Sequence, residues 1–137
     1  MDVDEARRRF GSARRVVLAT QRGDGSVDVV PVTFALVDDT IYSLVDHKPK
    51  TTRDLQRLRN VRRDANVTLL ADQYDDADWS ALWWVRAKGE ARVVDEGPER
   101  DAIATVVAAR YGQYDDNEPM GPAVVVDVAQ WLGWSAS

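Results

Sequence analysis

The chain has 137 residues, a formal net charge of −5 and no cysteine. This length predicts a single domain spanning residues 1–137 with a core of its own, and the lack of cysteine excludes disulfides and cysteine nucleophiles. The acidic start Met1–Glu5 and the lack of a long apolar run predict a soluble, cytoplasmic protein with no membrane partner. The negative charge argues against nucleic acid as the main partner.

The first part of the chain predicts a short helix followed by three strands. Asp2 and Glu5 form a capping box at the start of a helix over residues 2–10. Apolar runs predict strands at residues 15–21, 27–36 and 40–45. Asp24-Gly25 favours a tight hairpin turn between the first two strands. Pro31 marks an edge, a bulge or a break in the second strand, because proline cannot donate to a β-ladder.

The stretch from Ser43 to Asp64 joins the end of the third strand to a basic loop and a second helix. Cations and hydroxyls crowd the predicted helix start, namely Lys48, Lys50, Thr51, Thr52 and Arg53. Thr51 or Thr52 can cap this start. Unpaired N–H groups and the helix dipole attract anions there, so the segment carries the groups needed to hold a phosphate. A solvated basic helix face is the alternative interpretation, and local features favour the two equally.

The second half predicts two strands, a helix and a final strand. The strands are residues 66–71, 81–93 and 123–131, and the helix begins at Gly97-Pro98. Residues 81–93 alternate most clearly between buried and solvent-facing positions. The element order predicts a mainly β, α+β domain with three short helices, and a small antiparallel barrel is a natural way for about six strands to hide their edges.

Several kinds of chemistry lack the residues they need. His47 is the single histidine, which excludes histidine or cysteine metal sites, and no nucleophile elbow accompanies it. The acidic loop Asp72–Asp78 lacks the glycine and glutamate of a calcium site, so we predict a solvated turn. No glycine-rich dinucleotide motif or Walker loop is present. Four of the five tryptophans have no obvious core role and are candidates for a flat ligand or a subunit interface: Trp79, Trp84, Trp131 and Trp134.

A family resemblance connects these features over almost the whole chain. The segments that carry it are Val30–Phe34, Val45–Leu55, Asp78–Ser80, Val85–Ala91 and Trp131–Trp134. Together they resemble the split β-barrel flavin and deazaflavin proteins related to pyridoxamine 5′-phosphate oxidase. The order Lys-Pro-Lys-x-x-Arg-Asp-Leu followed by a tryptophan-rich strand resembles the actinobacterial branch that uses coenzyme F420, a deazaflavin.

The resemblance implies a six-stranded antiparallel split barrel, the FMN-binding type, that forms a homodimer with two cofactor sites at the interface. The residues implied to hold the cofactor phosphate and its anionic tail are Lys48, Lys50, Thr52 and Arg53. Those implied to lie beside the ring are Pro31, Val32 and Thr33, with Ser43 and Val45 on the adjoining strand. Trp79, and with less support Arg86 and Lys88, would reach the cofactor from the second chain or close its pocket.

The implied activity is transfer of a hydride between reduced F420 and a small unsaturated or conjugated substrate. The proton would come from solvent or from a tyrosine, with Tyr42, Tyr74 and Tyr111 as candidates. Three alternatives stay open: an FMN-dependent oxidase or reductase of the same fold, a non-catalytic F420 carrier, and a basic-helix interaction protein without a cofactor.

Overall fold

The computed structural model describes residues 1–45, 55–115 and 121–137, without the side chains of residues 113 and 115. These ranges contain three α-helices, α1 (Val3–Ser12), α2 (Gln56–Arg63) and α3 (Pro98–Ala108). The same described residues form seven strands, β1 (Val16–Gln21), β2 (Val27–Val32), β3 (Phe34–Val37), β4 (Thr40–Leu44), β5 (Asn66–Gln73), β6 (Trp83–Val94) and β7 (Ala123–Ser135). No helix in the described ranges is long and apolar enough to span a membrane.

All seven strands form one antiparallel sheet in the order β2-β1-β5-β6-β7-β4-β3. The two edge strands β2 and β3 are separated in sequence by Thr33 alone. The sheet must therefore curl until its two edges meet, which confirms the predicted antiparallel barrel of the α+β class. We call the junction Pro31–Phe34 the seam.

The seam also corrects the predicted strand count from six to seven. Residues 27–36 look like one apolar strand, but the backbone changes partners at Thr33. Pro31 pairs with Val17 on one edge, whereas Phe34 pairs with Ser43 on the other. Pro31 lacks a ladder donor and so suits the end of β2, where the pairing breaks.

The barrel interior is one hydrophobic core closed by helices. Phe10 of α1 is fully buried and lies edge-on to Phe34 and Trp131, with ring centroids 5.2 Å apart in each pair. The N–H of Glu5 donates to the Asp2 carboxylate at 2.8 Å, which confirms the predicted cap of α1. Helix α2 begins after Leu55, its N-cap, later than the predicted caps at residues 51 and 52, which lie outside the described residues.

A second core lies outside the barrel, where α3 covers β3, β4 and the first half of β7. It is formed by Ala35, Leu44, Val94, Ile103, Val107, Ala123 and Val125. These strand residues alternate with barrel-facing neighbours such as Phe34, Val124 and Val126. The outer face of β2, β1, β5, β6 and the second half of β7 has no such cover among the described residues.

Strand β7 contains one extra residue that reverses its side-chain alternation. Lys88 pairs with Gln130 but Gly89 pairs with Val128, so Ala129 is bulged out of the ladder. A Cβ on Gly89 would collide with the backbone carbonyl of Asp127, so glycine is required at this close approach.

Candidate functional site

The predicted ring neighbours on β2 and β3 occupy the seam itself. Pro31 is exposed on the uncovered outer face, Val32 is buried in the barrel, and Thr33 is half-buried between them and β3. Thr33 therefore stands at the border between the uncovered face and the second core.

Ser43 and Val45 lie next to the seam on and just after β4. The buried Ser43 hydroxyl donates to the Thr33 carbonyl at 2.9 Å, and Ser43 pairs with Phe34 in the sheet. The Val45 side chain belongs to the barrel core, and its N–H donates to the Pro122 carbonyl at 3.0 Å. The structure thus brings Thr33 and Ser43 into direct contact, and Val45 follows Ser43 two residues later in the chain.

The predicted anion-binding residues Lys48, Lys50, Thr52 and Arg53 lie outside the described residues, and so does His47. Both neighbours of that segment are described. Val45 precedes it beside the seam, and Leu55 follows it as the N-cap of α2. A polar cluster fixes α2: the buried Asn60 amide donates to the Thr20 hydroxyl at 3.0 Å and to the Asp28 carboxylate at 2.8 Å.

Trp79 lies elsewhere, in a 3₁₀ turn between β5 and β6, with 67% of its surface exposed. The Asp78 carboxylate caps this turn by accepting from the Ser80 N–H at 3.1 Å. The turn is tied to the end of the chain, because the Ser137 hydroxyl donates to the Ser80 carbonyl. Trp79 is therefore held on an ordered turn while its ring faces solvent.

Tyrosines from the chain after α3 reach the seam. The Tyr111 hydroxyl accepts from the Phe34 N–H at 3.2 Å and lies 2.8 Å from the Arg14 carbonyl and 3.0 Å from the Phe34 carbonyl. That hydroxyl therefore ties backbone groups together. The Tyr114 hydroxyl lies 3.1 Å from Thr33 Oγ1. Tyr114 is not among the residues predicted from the sequence, although the Tyr-x-x-Tyr spacing after a helix places two rings near each other.

The other two candidate tyrosines, Tyr74 and Tyr42, make their contacts elsewhere. Tyr74 is 61% exposed and its hydroxyl donates to the Asp76 carboxylate at 2.9 Å. Tyr42 packs against the second core.

The uncovered outer face is apolar at one end, where apolar side chains lie around Arg86. It includes Val17, Val29, Leu70, Trp84, Leu132 and Trp134, of which all but the half-buried Val17 and Trp84 are exposed. A groove of about 520 Å³ runs over this face past Arg86 and Asp72. Arg86 Nε is buried with no hydrogen-bond partner among the described residues, and the guanidinium lies 5.6 Å from the Trp84 ring.

Two tryptophans have structural contacts. The Trp131 Nε1 donates to Asp39 at 2.9 Å, and the Trp83 Nε1 donates to Gln73 at 3.0 Å. The Trp131 bond, together with the Arg7 guanidinium, lowers the pKa of Asp39. Trp79, Trp84 and Trp134 remain available at the surface or half-buried.

No group of three or more histidine, aspartate or glutamate side chains in the described ranges is arranged to hold a metal ion.

A family model described as pyridoxamine 5′-phosphate oxidase matches residues 3–135 of the chain. No curated protein sequence matches it. The structure is similar to a conserved hypothetical protein from Mycobacterium tuberculosis, with a TM-score of 0.79, 22% identity, and coverage of 99% of this chain and 86% of that one. It is also similar to a FAD-binding protein from Mesorhizobium loti, with a TM-score of 0.74, 16% identity and coverage of 97% and 94%. A FAD-binding protein from Mycobacterium smegmatis gives a TM-score of 0.65, 18% identity and coverage of 98% and 94%. At these identities the structural likeness shows a shared fold.

Proposed function

Because the chain belongs to the pyridoxamine 5′-phosphate oxidase family, we propose that it is an oxidoreductase that binds a flavin-type cofactor at the seam. The observation that carries this proposal is the contact between Thr33 and Ser43. It joins two of the predicted ring neighbours immediately before the segment that holds Lys48 and Lys50. An apolar strand surface with hydroxyls at its border suits a flat ring that has a polar edge.

Within this class we propose coenzyme F420 as the cofactor. Its phosphate and glutamyl tail are anionic, and Lys48, Lys50, Thr52 and Arg53 would hold them in the segment after Val45. FMN is the second candidate. The fold shared with proteins described as FAD-binding supports a flavin as the alternative cofactor. The substrate is a small unsaturated or conjugated molecule.

The bound cofactor supplies the hydride, and the chain's own residues orient and shield it. Val32 and Val45 are buried and keep water from the barrel side of the seam. Pro31, with no N–H, presents an apolar surface on the outer side. Holding ring and substrate in contact can account for much of the catalysis, because orientation alone lowers a barrier by several kcal/mol.

We also propose that the protein is a homodimer that buries the uncovered outer face. The apolar residues on this face would be covered, and the unpaired Arg86 Nε would gain an acceptor. Arg86 and Asp72 lie on the same face, so a two-fold contact can pair each with the other across the interface. Trp79 would then reach the cofactor of the second chain. A cytoplasmic location stays a prediction.

Colour and titration test the cofactor proposal. Protein made in a host that lacks F420 should purify colourless if F420 is native and yellow if FMN is native. Titration with F420, followed by tryptophan quenching, should show saturable binding. No quenching by either cofactor would overturn the proposal and favour an interaction protein.

The Lys50→Ala variant tests whether Lys50 binds the anionic part of the cofactor or affects the whole protein. Loss of a cation–phosphate contact should weaken binding of the complete cofactor by about ten- to a hundredfold. A tail-free ring compound, such as riboflavin, should bind both proteins equally. An unchanged affinity for the complete cofactor would remove Lys50 from the site. Turnover of an acceptor faster than free reduced cofactor distinguishes an enzyme from a carrier.

A further inference from the structure

The hydroxyls of Thr33 and Tyr114 form a pair at the point where the two sheet edges meet. Their oxygens are 3.1 Å apart, and either can be the donor. Thr33 is half-buried on the border of the uncovered face, and Tyr114 is half-buried where the chain leaves α3. The pair joins the second core to the seam.

The packing of the Tyr114 ring allows its hydroxyl to hold the Thr33 hydroxyl in one orientation. It packs edge-on against the Tyr111 ring, with centroids 6.0 Å apart, and belongs to the second core. Tyr111 is itself held by backbone groups of Phe34 and Arg14. A tyrosine ring supported in this way holds its hydroxyl in one position at a low cost in side-chain entropy, because it has two rotatable bonds.

Thr33 has hydrogen-bonding capacity to spare. A threonine hydroxyl has one donor and two acceptor sites, and the bond to Tyr114 uses one of them. The Thr33 carbonyl is occupied separately by the Ser43 hydroxyl. The Thr33 hydroxyl therefore offers both a fixed direction and a free site at the border of the uncovered face.

From this geometry we infer that the Thr33 hydroxyl hydrogen-bonds the polar edge of the bound ring, and that Tyr114 is the residue that positions it. This inference rests on the proposed function. The polar edge of a flavin or deazaflavin alternates carbonyl oxygens with ring nitrogens, so a hydroxyl that can donate or accept suits it. Tyr114 acts through Thr33 and needs no contact with the ring.

The test measures ring affinity with a tail-free compound, so that the anion-binding segment does not contribute. The titrations use the full-length protein with riboflavin and FMN, or with the tail-free and complete deazaflavins, whichever pair the wild type binds. Thr33→Val should weaken both members of the pair by the same factor, about three- to tenfold. Thr33→Ser should restore affinity to within about twofold, because it keeps the hydroxyl.

Tyr114→Phe should weaken ring binding by a similar or smaller factor and shift the visible absorption band of the bound ring. In the Thr33→Val background the same change should have no further effect on affinity, because the positioned hydroxyl is already gone. Thr105→Val is the matched control. It removes a hydroxyl on α3 that donates to the Asp101 carbonyl, and it should change neither affinity nor spectrum.

The outcomes separate the two proposals. If the wild type binds no flavin and no deazaflavin, the proposed function fails and the inference fails with it. If the wild type binds but Thr33→Val binds equally well, the inference alone is overturned. Additive losses in the double variant, or a lower melting temperature for Tyr114→Phe with unchanged affinity and spectrum, would overturn the positioning role of Tyr114.

Discussion

The attachment of α2 to the β1–β2 hairpin depends on one buried amide. Asn60 is 2% exposed; it donates to Thr20 and Asp28 and accepts from Gln56 at 2.8 Å. Asn60→Ala removes these bonds and leaves the buried Thr20 hydroxyl without its donor. The bonds with Thr20 and Gln56, at about 1 kcal/mol each, together with the bond to the part-exposed Asp28 carboxylate and the unsatisfied hydroxyl, give an expected loss of about 2–4 kcal/mol.

That loss corresponds to a fall in melting temperature of roughly 6–12 °C for a chain of this length. Urea unfolding followed by tryptophan fluorescence measures the free energy directly. Asn66→Ala is the matched control, because Asn66 is exposed and bonds to Asp64 beside it; its effect should stay within about 0.5 kcal/mol. If the effect of Asn60→Ala falls within the same range as that of this control, the hydrogen bonds of Asn60 do not hold α2 in place.

Asn60→Asp adds a pH-dependent test of the same contact. It places a buried carboxyl next to Asp28, so both burial and the like charge raise the pKa of the introduced group. The penalty from this charge should therefore grow as pH rises from the ordinary carboxyl range towards the raised pKa, and below that range only the pH-independent loss of the amide donors should remain. A difference from the wild type that does not change with pH would contradict this account.

Three further predictions concern the outer face, the bulge and acid stability. Leu70→Glu should convert the proposed dimer into a monomer on size-exclusion chromatography while the far-UV spectrum stays unchanged; a dimer that persists would place the interface elsewhere. Gly89→Ala should destabilise the protein by about 1–3 kcal/mol in urea unfolding, because the added methyl group meets the backbone of the facing strand, and a neutral effect would show that the strands can separate there. An indole N–H and a guanidinium lower the pKa of Asp39, so its stabilising contribution is present above the ordinary carboxyl range and is lost as pH falls; Asp39→Asn should flatten this acid limb of the stability profile, and a profile of unchanged slope would refute the assignment.

Local patterns predicted most of the elements because their causes are local. The cap at Asp2, the Asp24-Gly25 turn and the alternation along β6 each depend on residues a few positions apart. Pro31 predicted an edge, a bulge or a break in the second strand, but the change of pairing partners at Thr33 could not be predicted in the same way. It arises from barrel closure, which gives two halves of one apolar run different partners.

In the candidate site, too, some features could be predicted from the sequence and others could not. The nearness of Thr33 and Ser43 followed from the family resemblance, which implies that both lie beside the ring on adjoining strands. Tyr114 was not predicted, because its hydroxyl reaches Thr33 only after α3 has packed on the outside of the barrel. The end of β7 was predicted at Trp131 but lies at Ser135, because the extra residue interrupts the period-two pattern that marks a strand.

The bulged Ala129 changes which residues of β7 face the barrel interior. Before it, even-numbered residues such as Val124 and Val126 point into the barrel; after it, Trp131 and Gly133 do so. If Ala129 occupied a regular ladder position instead of the bulge, Leu132 and Trp134 would turn inward and the uncovered outer face would lose their apolar side chains. The bulge at one unpaired position thus decides which side chains in the last third of the strand enter the barrel and which stay on the uncovered outer face.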